Sequence, residues 1–176
     1  MSLDIEKAPL LIHQTDLLDS IKSCGRQKDL HKARGLHSFL LQHGLLVKRD
    51  TRISNALLSM YGKCGDPHLA RSAYDKILNP DIIASTSMIV VYANYGYGAE
   101  AFHLFENLVV EPNEVTLIGV LGACSDMSKG LLIHRYVIEN GFGSNIILST
   151  ALMNMYGRCG SLHNAYVVFN KIQPCD

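Results

Sequence analysis

Residues Thr51 to Asp81, TRISNALLSMYGKCGDPHLARSAYDKILNPD, decide the fold, because they return 95 positions later as Ile146 to Asp176, IILSTALMNMYGRCGSLHNAYVVFNKIQPCD. Laid together without a gap, the two segments are identical at thirteen of 31 positions. Ala56/Ala151, Leu57/Leu152, Met60/Met155, Tyr61/Tyr156, Cys64/Cys159 and Gly65/Gly160 are among them. Self-similarity of this length at a fixed offset marks a stacked repeat protein.

Each copy reads as two short helices. Ile53, Ala56, Leu57, Met60 and Tyr61 recur at the spacing of one helical face. Gly62 and Gly65 are expected to break that helix. Asp66-Pro67 restarts it, with an N-cap acceptor followed by a proline at the first helical position. Ala70, Ala73, Tyr74 and Ile77 form the next face, and Asn79-Pro80 is expected to stop it. The later copy repeats the faces as Leu148, Ala151, Leu152, Met155, Tyr156 and then Ala165, Val168, Phe169, Ile172. Helices of about eleven residues cannot bury such faces alone, so each repeat must stack on its neighbours.

Outward from these two copies, the chain divides without linkers. After a leader, 1–13, the repeats run Gln14–Asp50, Thr51–Asp81, Ile82–Asn113, Glu114–Asn145 and Ile146–Asp176. In the third, Ala84, Met88, Val91 and Tyr92 take one inner face and Ala101, Leu104, Phe105 and Leu108 the other, with Gly96 and Gly98 at the break. The first and fourth form a second kind. Cys24 and Cys124 end their first helices, and Ala33, Leu36, His37, Leu40 correspond to Gly130, Ile133, His134, Val137. Gly44 and Gly141 follow His37 and His134 by seven residues, where a helix C-cap glycine belongs. No stretch alternates as a strand does. The pattern predicts an all-α solenoid.

Composition bounds the partners. Hydrophobic residues make up 48% of the chain and charged residues 18%, which excludes a disordered tail. Lys+Arg and Asp+Glu both number 16, so no global basic charge advertises a polyanion, although a neutral total can hide a basic stripe. The five cysteines include no CxxC pair, which favours reduced structural thiols over a disulfide or metal framework. No apolar run reaches the ~18 residues of a membrane span. The N-terminal MSLDIEKAPLLIHQTD, acidic and without arginine, is unlike a transit or signal peptide.

The stretches SNALLSMYGKCGDPHLARSAYDKI, EPNEVTLIGVLGACS and IHRYVIENGF resemble the plant pentatricopeptide-repeat family, in its sub-class that alternates P-, L- and S-type motifs. The resemblance covers Gln14 to Asp176 and implies the order L, S, P, L, S. It implies a right-handed α-solenoid of about five stacked helix-turn-helix repeats. It also implies sequence-specific binding of single-stranded RNA in a mitochondrion or chloroplast, about one base per repeat, in RNA processing or C-to-U editing.

In the family, base choice sits at the fifth and last residues of a motif. Carried over, these are Asn55 with Asp81, implying U; Thr86 with Asn113, implying A; and Thr150 with Asp176, implying G. The L-type pairs Leu18/Asp50 and Ile118/Asn145 have an aliphatic fifth residue and are assigned no base. The second residue should flank the base. Ile83, Val115 and Ile147 suit apolar contact, whereas Arg52 departs from the pattern and reads as a stacking guanidinium or a solvated charge. The implied register is U-A-N-G, and the last site, lacking a following repeat, is expected to be weak or silent alone.

Plainer readings stand beside these. Tyr61, Tyr92 and Tyr156 share one inner position and read as core. His37 and His134 read as core histidines, His68 and His163 as exposed. Asn55, Thr86 and Thr150 could be solvated helix residues. No cofactor and no small-molecule substrate are expected. Zinc deaminases need H-x-E with P-C-x-x-C, and neither occurs here, so the chain is not expected to be an enzyme. Two alternatives to RNA remain: a helical scaffold for other RNA-editing or processing proteins, which near-zero charge favours, and a truncated product with no retained role.

Overall fold

The computed structural model describes residues 14–44 and 51–172. The leader 1–13, the last residues of the first repeat (45–50, with Asp50) and residues 173–176 (with Asp176) lie outside the described residues. Contacts divide the chain into two compact units, one up to Leu78 and one from Asn79. Among the described residues every regular element is a helix.

The first unit holds α1 (Gln14–Gln27), α2 (Leu30–Gln42), α3 (Thr51–Cys64) and α4 (Pro67–Tyr74). Helices α1 and α3 lie side by side, and α2 and α4 pack against them. Ile21, Cys24, Leu57, Leu58 and Met60 fill the space between. Gly25 lets the backbones approach: a Cβ there would lie 3.2 Å from the Met60 Cα.

Asp66 caps α4 by accepting the Leu69 amide at 2.9 Å, with Pro67 at the first position, as the sequence suggests. Three boundaries differ from expectation. Gly62 lies inside α3, and the break falls at Gly65, whose φ of 89° only glycine adopts without strain. The second helix stops at Tyr74, well before Asn79-Pro80, and Ile77 is buried in a turn closed by its amide on the Tyr74 carbonyl. Cys24 does not end α1, which runs on to Gln27 until Lys28 turns the chain with φ 55°.

The second unit contains α5 (Ile82–Asn94), α6 (Gly98–Glu106), α7 (Glu114–Ala123), α8 (Met127–Glu139), a 3-10 turn at Phe142–Ser144, α9 (Ile146–Arg158) and α10 (Leu162–Ile172). Here α5 packs on α7 and α7 on α9, while α6, α8 and α10 lie against their own first helices. Ala84, Met88, Ile89, Leu117, Val120, Leu121, Leu148, Leu152 and Met155 make the core. Gly141, at φ 79°, follows α8 in the left-handed conformation expected of it. Phe169 departs from its expected inner position at 44% exposure, since Val168 takes the buried place where α10 rests on α9.

Candidate nucleic-acid interface

Asp81, Asn113 and Asn145, read from the sequence as the last residues of their repeats, are the N-caps of the helices that follow. Asp81 Oδ1 accepts the Ala84 amide at 2.7 Å to cap α5. Asn113 Oδ1 accepts the Thr116 amide at 3.0 Å to cap α7. Asn145 Oδ1 accepts the amides of Ile147 at 2.9 Å and Leu148 at 3.0 Å to cap α9. Asp and Asn are chosen here for a local reason: each satisfies helix-end N–H groups that would otherwise have no partner.

Two residues past each cap, the second helical residue faces out. Ile83 is 61% exposed, Val115 56% and Ile147 62%, and Arg52 is exposed at the matching place in α3. These are aliphatic side chains left uncovered beside polar caps, in helices whose other large aliphatic residues are mostly in the core.

The fifth residues are placed differently in each repeat. Asn55 is half-buried in α3 of the first unit, while Asp81 belongs to the second. Thr150 is exposed on α9 and donates to the Ile146 carbonyl at 2.8 Å; its partner in the sequence reading, Asp176, is outside the described residues. Thr86 and Asn113 are the pair the second unit brings together. Thr86, only 8% exposed, has its Oγ1 2.5 Å from the Thr116 Oγ1. Thr116 Oγ1 in turn donates to Asn113 Oδ1 at 3.0 Å and accepts the Asn113 amide at 3.4 Å.

Thr116 was not singled out in the sequence. Its signal was present as Asn113-x-x-Thr116, the spacing of a capping box.

The pair Ile118/Asn145 looks different. Asn145 Nδ2 donates to Glu114 Oε1, and its Oδ1 caps α9, so both ends of the amide are committed inside the protein. Ile118 is partly buried and offers no polar group.

His37 is buried, as a core histidine would be, and His134 is partly buried. His37 Nδ1 lies 2.7 Å from the Tyr61 hydroxyl, and His134 Nδ1 2.6 Å from that of Tyr156. Burial holds both imidazoles below their ordinary pKa, with Lys76 and Lys171 adding to it, and burial pushes Tyr61 up to about 12. His68 and His163 are exposed. Cys24, Cys64 and Cys124 are free thiols whose pKa burial raises, the opposite of a reactive thiolate. Among the described residues no cluster of His, Cys, Asp or Glu could hold a metal ion, and no helix is long and apolar enough to cross a membrane.

Chemically, such an arrangement can hold flat apolar rings against aliphatic side chains and test their edges with fixed polar groups. The PPR repeat profile matches residues 53–79, 83–111 and 147–173, which hold α3–α4, α5–α6 and α9–α10. The chain is 32% identical, over 89% of its length, to the chloroplastic pentatricopeptide repeat-containing protein At2g02980 of Arabidopsis thaliana. It is 37% identical, over 72% of its length, to the mitochondrial pentatricopeptide repeat-containing protein At4g19220 of the same plant. To the mitochondrial pentatricopeptide repeat-containing protein OGR1 of Oryza sativa subsp. japonica it is 32% identical over 96%. The chain spans 26%, 14% and 31% of these relatives' own lengths. With the profile matched three times and such relatives aligned along most of its length, the chain belongs to the pentatricopeptide-repeat family.

Proposed function

We propose that this chain is a non-catalytic reader of single-stranded RNA, working in organellar RNA processing or C-to-U editing as part of a PLS-type array. One observation carries the reading: in α5, α7 and α9 an exposed aliphatic residue stands two positions after an Asp or Asn cap. Repeated apolar surface beside repeated polar groups suits splayed bases, which offer a face and an edge. Ile83, Val115 and Ile147 would flank base faces. Asn55/Asp81, Thr86/Asn113 and Thr150/Asp176 would test base edges as U, A and G. The L-type repeat from Glu114 to Asn145 reads no base, which the double commitment of the Asn145 amide supports. The chloroplastic and mitochondrial names of the relatives support an organelle as its place of work.

The test is binding of the purified chain to labelled single-stranded RNAs carrying U-A-N-G, against swaps at U and A, at two salt concentrations. Binding that prefers U-A-N-G and weakens with salt, as counterion release requires, supports the reader. A folded, helical chain that ignores RNA and captures a partner protein with little salt dependence would replace it with the scaffold, which the equal counts of 16 acidic and 16 basic residues favour.

A further inference from the structure

Hydrogen-bond direction in the Thr86–Thr116–Asn113 chain is determined by counting donors. Asn113 Oδ1 can only accept, so the 3.0 Å contact takes the single hydroxyl proton of Thr116. The two lone pairs of Thr116 then receive the Asn113 amide at 3.4 Å and, at 2.5 Å, the hydroxyl proton of Thr86. Every capacity of the Thr116 hydroxyl is used, and the side chain is fully buried. Thr86 therefore spends its only proton inward and keeps its two lone pairs as acceptors. Asn113 has its oxygen turned to the cap, accepting both the amide and the hydroxyl of Thr116, which turns its NH2 group away.

We infer that Thr116, a residue of the following repeat, is a positioning residue for base choice: it makes Thr86 an acceptor and Asn113 a donor. The inference rests on the reading of Thr86 and Asn113 as the base-testing pair. An acceptor beside a donor matches a base edge with an amino group next to a bare ring nitrogen, as in adenine and cytosine. It opposes the keto oxygen next to a ring N–H of guanine and uracil. A threonine free to rotate could satisfy either kind, so the polarity comes from the bridge and not from Thr86 alone. Helices α3, α5 and α9 lack the bridge: the residue matching Thr116 is Ile53 in α3, Ala84 in α5 and Leu148 in α9.

The experiment measures binding of the full chain to U-A-N-G RNA with adenine, cytosine, guanine, uracil or hypoxanthine at the second base. Hypoxanthine keeps the purine shape and reverses the edge. Wild type is expected to favour adenine and cytosine over the other three by roughly tenfold. Thr116→Val, which keeps the shape and deletes the hydroxyl, is expected to lose most of that preference with the uracil-reading position unaffected. Thr116→Ser is expected to retain it. Thr116→Val keeping the preference while Thr86→Ala loses it would overturn the role of Thr116 and leave the pair standing. No preference in wild type, unchanged by Thr86→Ala, would overturn both. Should Thr116→Val fail to fold, the wild-type comparison still decides: equal binding of adenine and hypoxanthine overturns the inference.

Discussion

The Tyr61 hydroxyl stands 2.7 Å from Nδ1 of His37, joining α2 to α3, while the other ring nitrogen, Nε2, has no hydrogen-bond partner among the described residues. His134 and Tyr156 make the same bond between α8 and α9. Tyr61→Phe strands a buried ring nitrogen and is expected to cost about 1–3 kcal/mol. Urea unfolding would measure it, and an unchanged midpoint would show the bond to be dispensable.

The same histidines predict an acid dependence. Burial holds their folded pKa below the ordinary value of 6.5, so in mildly acidic solution the unfolded chain binds more protons than the folded one. Stability is then complete above about pH 6.5 and falls as pH drops toward the folded values, where the loss levels off. Melting should occur at lower temperature at pH 5.5 than at pH 7.5, and the difference should shrink in a His37→Asn, His134→Asn double variant. An undiminished difference in that variant would assign the acid effect to other groups.

Two glycines three residues apart should respond oppositely to alanine. Gly160 holds φ 75°, so Gly160→Ala costs about 1–2 kcal/mol through backbone strain alone, nothing lying within 4 Å of a new Cβ. Gly157 is inside α9 with equally open space, and Gly157→Ala is expected to stabilise by about 0.5–1 kcal/mol. Thermal melts of the two variants check the opposed signs.

Asn145→Ala separates capping from reading. Loss of the α9 cap should cost about 1 kcal/mol, while base preference along the bound RNA stays as in wild type. A changed preference at one base would make Asn145 a reader after all.

Ile83→Ser with Val115→Ser tests the apolar rows. Both side chains are largely exposed, so stability should move by less than about 0.5 kcal/mol each, and RNA affinity should drop several-fold. Unaltered affinity would remove these residues from the interface.

Much of this molecule is legible in its residues. The returning Tyr61/Tyr156 segment and the spacing of Leu57, Met60 and Tyr61 expose the helical repeat because burial leaves a periodic trace. Asp66-Pro67 and Gly141 mark helix ends by backbone chemistry that acts locally. What was hidden depends on neighbours. Gly62 resembles a breaker but is carried inside α3, and Phe169 has the inner spacing yet stays exposed because Val168 takes the buried place. Thr116 is hidden for the same reason: its hydroxyl matters through Thr86, 30 residues earlier in the chain.

Caps placed at the ends of repeats also restrict how such a chain can change its target. Asp81 and Asn113 each begin a helix as well as closing a repeat, so a new residue at either place must still accept helix-end amides. Of the twenty side chains, aspartate, asparagine, serine and threonine do this well. Evolution, or an engineer, therefore rewrites these positions within a small alphabet set by helix stability before any nucleotide is met.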